Sequence, residues 1–270
     1  MQMKCEKLSL DSHLNALQVS GRYTFTRTDV LAELNCSTDA LRFAALRLIK
    51  KKRLIRPTRN FYVIVPTEYR EVGAPPITWF IDSLMKFFQQ PYYVGILSAA
   101  ALHGAAHQQP QVFQVMTDKP LRPVKVGDFF IKFYTKKQIS SSECQSVKTV
   151  TGYMQVATPE ITAFDLVRYI KPAGYLNNVA TVLSELQERF DKSRFEKIFE
   201  DGHLASPDVQ RLGYLLELIE ANQEIISLFK TWLHKRKIRP VPLRTDKIYE
   251  NTTRNEEWQL YINEKIEADL

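Results

Sequence analysis

A very short interval between two stretches of helical apolar spacing constrains the fold of this chain more than any other feature of its sequence. The first stretch begins at Thr26 or Thr28 and stops at Asn35. Ser37 then supplies an N-cap for a longer helix over about 38–52. The apolar stripe of that helix consists of Leu41, Ala45, Leu48 and Ile49. Two helices separated by only two or three residues predict a helix-turn-helix, whose second helix enters the major groove of DNA.

The flanking sequence extends this prediction to a winged helix-turn-helix. Leucines at helical spacing predict a first helix over residues 9–19, ended by a Ser-Gly pair. Two β-rich runs, 54–57 and 61–65, surround a polar turn and predict a hairpin at the position of the wing. Residues 1–66 are therefore predicted to form a winged helix-turn-helix DNA-binding domain.

The net charge of the chain is confined to the same segment. Residues 1–66 contain twelve basic and five acidic side chains, which gives +7, whereas residues 67–270 contain 25 of each. Such an asymmetry indicates that the first segment meets a polyanion and that the rest has another task. Solubility alone is the alternative explanation of the charge. Charge and pattern together favour nucleic acid as the partner.

The candidate DNA-binding residues are the positions of the third helix and the hairpin that lie off the apolar stripe. Thr38, Arg42 and Phe43 lie near the start of the helix, where side chains approach base edges, and Arg42 is the best candidate base reader. Flexible cations near the helix end and on the hairpin fit phosphate contacts, which position a protein without reading sequence. These cations are Arg47, Lys50, Lys51, Lys52, Arg53, Arg56 and Arg59. The alternative is that the run 50–53 is only the solvated end of an amphipathic helix.

The remaining chain predicts an α+β fold with a second, larger mixed domain. Residues 67–76, which end in Pro-Pro, are predicted to be a linker to a domain over 77–270. That domain is predicted to contain a small β-sheet within about 112–156 and a helical part over about 158–235. No apolar run reaches the roughly 18 residues that a membrane helix needs, and charged residues near the N-terminus argue against a signal peptide. We therefore expect a cytoplasmic protein without membrane contact.

Few residues of the second domain suggest a metal site or a disulfide. His103 and His107 are four residues apart, but Gly104 follows the first and no third ligand is evident, so we predict no metal and a structural histidine. The three cysteines are far apart and form no CxxC pair.

Catalytic motifs are likewise scarce. A metal-dependent nuclease would need gathered carboxylates, and Asp118 is followed at a suggestive distance by Phe130-Ile131-Lys132, with Phe130 at the position of the second acid. Asp118, Asp128 and Lys132 are more simply loop and strand-edge residues. The chain has no phosphate-binding loop, GxGxxG or GxSxG motif. We therefore predict no enzyme activity and no cofactor, with a nuclease that the N-terminal module targets to DNA as the alternative.

Four stretches resemble the AbiEi family of antitoxins and transcriptional regulators from type IV toxin-antitoxin systems. The most specific is YYVGILSAAALHGAAHQQP at 92–110. The others are GAPPITWFIDSLM at 73–85, TG at 151–152 with TPEITAFDL at 158–166, and QRLGYLLE at 210–217. The resemblance spans nearly the whole chain.

The resemblance implies a function that composition and spacing do not. It implies a winged helix-turn-helix that represses its own operon by binding operator DNA, and a C-terminal domain that opposes an AbiEii-like nucleotidyltransferase toxin in phage defence. It leaves open whether the chain binds inverted repeats as a homodimer. A stand-alone regulator, whose second domain senses a ligand or binds a protein, is the other alternative.

Overall fold

Two compact units make up the chain in the computed structural model, which describes residues 9–105, 111–202, 204–250 and 252–267. The first unit comprises residues 1–94, 111–141 and 145–156, and the second comprises 95–110, 142–144 and 157–270. Both mix helices with strands, so the predicted α+β class is confirmed. None of the described helices is long and apolar enough to cross a bilayer.

The first unit begins with three helices and a three-stranded sheet in the order of a winged helix-turn-helix. These elements are α1 (Leu10–Val19), β1 (Thr24–Thr26), α2 (Arg27–Leu34), α3 (Thr38–Lys50), β2 (Leu54–Thr58) and β3 (Phe61–Ile64). The hairpin strands β2 and β3 pair antiparallel, and β1 adds to the other side of β3. The sheet therefore has a third strand, β1, which the two predicted β-rich runs do not include.

Local capping explains where these helices begin and end. The Thr26 hydroxyl accepts the amide of Asp29 and the Asp29 carboxylate accepts the amide of Thr26, a capping box that contributes about 1 kcal/mol. Asn35 ends α2 in the left-handed region, with φ 45°. The Ser37 hydroxyl caps α3, as predicted. Helix α3 ends at Lys50 rather than Lys52, because Lys52 adopts φ 53° and leaves the helix.

A six-stranded sheet follows within the first unit, with one helix, α4 (Ile81–Phe88). Its strands are β4 (Tyr92–Val94), β5 (Val112–Thr117), β6 (Val124–Val126), β7 (Phe129–Thr135), β8 (Cys144–Thr149) and β9 (Gly152–Ala157). They lie in the order β6-β7-β5-β4-β9-β8. The strand β5 pairs parallel with β7 and antiparallel with β4. The strands β5 to β9 lie at about the range predicted for a small sheet, 112–156, and β4 is an addition before it.

Residues 66–76 are packed rather than free. Ala74 is buried. Gly127, in the turn between β6 and β7, packs so closely against this segment that a larger residue at position 127 would meet it. A methyl group on Gly127 would lie 3.0 Å from the Val72 carbonyl oxygen and 3.2 Å from Ala74 Cβ. The six-stranded sheet accordingly groups with residues 1–94. The division into 1–66, 67–76 and 77–270 stays a prediction, and these contacts give the segment a packing role that its Pro-Pro composition did not indicate.

The second unit is mostly helical. Its helices are α5 (Ile96–Leu102), α6 (Pro159–Arg168), α7 (Tyr175–Leu186), α8 (Lys192–Glu200), α9 (Ser206–Leu218) and α10 (Gln223–His234). Near the C-terminus, β10 (Val241–Pro242), β11 (Arg254–Asn255) and β12 (Leu260–Tyr261) form a small sheet in the order β10-β12-β11. The Thr158 hydroxyl caps α6 and Pro159 is its first residue.

Helix α9 anchors the C-terminal segment of this unit. The Gln210 amide nitrogen lies 2.9–3.1 Å from the carbonyl oxygens of Arg239, Trp258 and Gln259. The indole nitrogen of Trp258 donates to the Glu217 carboxylate at 2.6 Å. Gly213 lies against the fully buried Trp258 ring. The stretch 210–217 therefore holds the chain end in place through polar contacts and one close approach.

Replacing Gly213 with alanine is expected to destabilise the second unit. The added methyl would lie within 2.8 Å of Trp258 Cε3 and closer still to two other ring atoms, so the buried ring must move. Overpacking of this kind costs about 1 to 3 kcal/mol, which urea unfolding measures. In the double variant with Trp258→Leu, the loss should be smaller than the sum of the single losses. Strict additivity would contradict the proposed contact.

Candidate nucleic-acid interface

Burial of one side of α3 places the predicted base-reading residues on the other side. Leu41, Ala45 and Leu48 are buried in the core of the three-helix segment. The side chain of Arg42 is 61% exposed and Phe43 is 54% exposed. Further along the helix, Leu46, Arg47 and Lys50 are also exposed. The outward face of α3, defined as residues 39, 42, 43, 46, 47 and 50, therefore combines three cations with two apolar side chains.

Arg42 is available to a ligand. Its guanidinium carbon lies 4.9 Å from the centroid of the Phe43 ring, a cation–π contact on the surface. A guanidinium nitrogen lies 3.8 Å from Asp39 Oδ1, and both side chains are exposed, so this ion pair is weak. The guanidinium is thus directed sideways along the helix surface and is not held in the core. Its role as a base reader stays a prediction.

Thr38 is held by a residue that sequence reasoning did not select. A guanidinium nitrogen of Arg27, the first residue of α2, donates to the Thr38 hydroxyl at 2.9 Å. The amide of Arg27 also donates to the carbonyl oxygen of Asn60, in the turn of the hairpin, at 2.9 Å. Arg27 therefore connects the start of α3 with the wing. No local pattern indicates a contact between residues eleven positions apart.

The cations after α3 divide into two groups. Lys51, Lys52, Arg56 and Arg59 are exposed, in agreement with side chains able to reach phosphates. Arg53 differs: its side chain is only 21% exposed. Its guanidinium donates to the carboxylate of Asp11 and, at 3.1 Å, to the amide oxygen of Asn15.

Arg53 thereby joins the end of α3 to α1. The hydrogen bond from its guanidinium lowers the pKa of the Asp11 carboxyl. The sequence grouped Arg53 with the phosphate contacts, and the structure adds this structural role. For that reason we leave Arg53 out of the DNA-contacting set proposed below.

The carboxylates considered for a nuclease are not brought together. Asp118 follows the end of β5, whereas Asp128 precedes the start of β7. Because these strands are parallel and paired from Val112 with Phe130 onward, the two acids lie at opposite strand ends, roughly 25 Å apart. Lys132 lies within β7, opposite Gln114. This geometry does not favour the nuclease alternative.

His103 makes the structural contact expected of it. It ends α5, and its Nε2 lies 2.8 Å from the carbonyl oxygen of Ala157. Burial is the main cause that lowers the pKa of this imidazole. His107 lies outside the described residues. In the described part of the chain, no group of three or more His, Cys, Asp or Glu side chains is placed to hold a metal ion.

Comparison with protein families finds a match over the middle part of the chain. The model of the AbiEi antitoxin C-terminal domain matches residues 93–218, from β4 to the end of α9. Residues 93–218 are thus similar to an AbiEi antitoxin domain. This match confirms the resemblance that the sequence motifs indicated, and it includes His103 and the α9 residues that anchor Trp258.

Solved structures extend the likeness in fold beyond the AbiEi domain. The RV2827C protein from Mycobacterium tuberculosis superposes with a TM-score of 0.63 at 16% identity, over 92% of this chain and 89% of that one. At this identity the likeness shows a shared fold, and it includes the winged helix-turn-helix-like segment. The antibiotic-resistance factor ANT(2'')-Ia matches at a TM-score of 0.30 and 9% identity, over 43% of this chain and 84% of that one. This TM-score is too low to indicate a shared fold. No curated protein matches the sequence.

Replacing Arg53 with methionine is expected to lower stability in a pH-dependent way. The folded pKa of Asp11 lies below its ordinary value, so the stabilisation is present above about pH 4 and is lost as the pH falls through the folded pKa. Exposed pairs contribute up to about 1 kcal/mol. Urea unfolding at pH 7 and at pH 2.5 should show a larger loss at the higher pH, where the Asp11 carboxylate is ionised. Lys52→Met is the matched control, and an equal loss at both pH values would contradict the role of the ion pair.

Proposed function

We propose that this chain is a DNA-binding repressor of its own operon and an antitoxin that opposes a nucleotidyltransferase toxin. It acts by binding and has no catalytic activity of its own. The observation that carries the DNA-binding part is the outward face of α3, where Arg42, Arg47 and Lys50 are exposed on the second helix of a helix-turn-helix. The AbiEi domain at 93–218 supports the antitoxin part.

The positions of the carboxylates support an electropositive face. Among the described acidic residues before residue 67, Asp11 pairs with Arg53, and Asp29 accepts the amide of Thr26. Glu33 lies 3.3 Å from the imidazole of His13. Only Asp39 lies on α3 itself, where three cations outnumber it. A duplex approaching this helix therefore meets a net positive surface.

The wing adds cations beside the helix. Arg56 lies on β2 and Arg59 lies in the turn that follows it, and both are exposed. In winged and related helix-turn-helix proteins, base edges are read by the helix in the major groove, while flanking side chains contact phosphates. We assign Arg42 to base contact and the other exposed cations to phosphate contact.

Binding to duplex DNA is expected to depend steeply on salt. If about six phosphates are neutralised, the logarithm of the affinity falls with the logarithm of salt concentration at a slope near −5. Lys51→Ala should make the slope shallower by about one, because it removes one phosphate contact. Lys265→Ala, which removes an exposed lysine of the second unit, is the matched control and should leave the slope unchanged. A slope near zero for the unmodified protein would exclude this mode of binding.

The two proposed activities are expected to separate by mutation. The variant with Arg42, Arg47 and Lys50 all replaced by alanine should lose repression of a reporter driven by the DNA upstream of its own gene. It should still restore growth to cells that express the toxin of the adjacent gene, because the AbiEi domain is unchanged. Growth rescue and reporter activity are measured in the same cells.

Gly213→Ala provides the opposite control, since it perturbs the AbiEi domain and leaves α3 intact. Repression without any growth rescue by the unmodified chain would favour the stand-alone regulator. An adjacent gene that encodes no nucleotidyltransferase would contradict the proposed toxin.

A further inference from the structure

We infer that α3 reads thymine, through contact of Phe43 and Leu46 with the 5-methyl groups of thymines close to a guanine bound by Arg42. This inference rests on the proposed function, because it concerns the same helix face. It goes further by assigning the base chemistry that the face selects.

Two large apolar side chains lie on the outward face of α3 without a core to fill. Phe43 is 54% exposed and Leu46 is 44% exposed, and they are three residues apart, so they are neighbours on the helix. The core beneath α3 is already occupied by the opposite side of the helix. Single exposed apolar residues are common, but two adjacent ones among cations, on a helix placed to enter a groove, indicate a contact surface.

The charge of the same face selects the occupant. Arg42, Arg47 and Lys50 surround the two apolar side chains. A second copy of this face would bring like charges together, whereas duplex DNA offers phosphates to the cations. In the major groove, the thymine methyl is the apolar group that a base presents, and phenylalanine is among the side chains that contact it. A cationic face with an apolar centre therefore fits a thymine-containing major groove.

The distance between Arg42 and Phe43 sets the spacing of the bases. The guanidinium carbon lies 4.9 Å from the ring centroid. Successive bases of one strand are about 3.4 Å apart along the helix axis, so the two groups reach base pairs one or two steps apart. Arginine binds the O6 and N7 atoms of guanine with two hydrogen bonds. The face therefore selects a guanine with a thymine within two base pairs.

Replacing thymine with deoxyuridine tests the contact at the level of one methyl group. A random 20-base-pair duplex library is enriched with the unmodified protein, and the selected duplex is synthesised with thymine or with deoxyuridine. Loss of a buried methyl should weaken binding by about fourfold for each thymine contacted. For Phe43→Ala combined with Leu46→Ala, the two duplexes should bind equally well, because the apolar partners are absent.

Two further variants separate direct contact from general effects of DNA or protein. Phe43→Leu keeps an apolar group at the position and should retain most of the preference for thymine. Val19→Ala, which shortens an exposed apolar residue on α1, should bind both duplexes as the unmodified protein does. A change of DNA shape caused by deoxyuridine would weaken every variant alike.

Each remaining outcome overturns the inference in a distinguishable way. Salt-dependent binding with no enriched sequence, or equal affinity of the unmodified protein for both duplexes, would leave DNA binding intact and remove thymine reading. The same preference for thymine in the double alanine variant would assign it to other residues. A dimer that the double alanine variant dissociates, with an unchanged thymine preference, would make the apolar pair a contact between two copies. Absence of binding to any duplex would overturn the proposed function as well.

Discussion

The burial of one side of α3 is the constraint on which the candidate interface depends. Once Leu41, Ala45 and Leu48 pack into the core, the helical repeat leaves no choice about which side chains face solvent. Arg42 and Phe43 are then presented together at one level of the helix, with the other cations further along. The chemistry of the face is thus a consequence of the core, and a shift of the apolar stripe by one residue would remove it.

The region that matches the AbiEi domain depends on a different kind of constraint. The side chains of Gln210 and Glu217 on helix α9 form hydrogen bonds with the C-terminal segment. Gly213 has no side chain and therefore lets the Trp258 ring pack directly against the helix. The Gln210 amide nitrogen and the Trp258 indole nitrogen both donate to partners here, and these bonds favour one arrangement of the segment. A stretch that resembles a family motif therefore has a structural explanation, separate from any contact with a toxin.

Local signals account for most of what could be predicted. Caps, apolar spacing and turn residues predict the helices of the three-helix segment within a few residues, because their causes lie within a few positions of each other. The strands β4 and β6 have only three residues each, too few for a periodic pattern. The outward exposure of Arg42 followed from spacing, whereas the engagement of Arg53 with Asp11 did not, since it joins residues 42 positions apart. The packing of residues 66–76 was missed for the same reason.

The double attachment of Arg27 has a thermodynamic consequence. Arg27 connects the tip of the hairpin to the beginning of α3, so neither part needs to become ordered when a ligand binds. Conformational entropy that is lost during folding is not lost again on association. If α3 and the hairpin bind DNA as proposed, they meet it as a single preformed body.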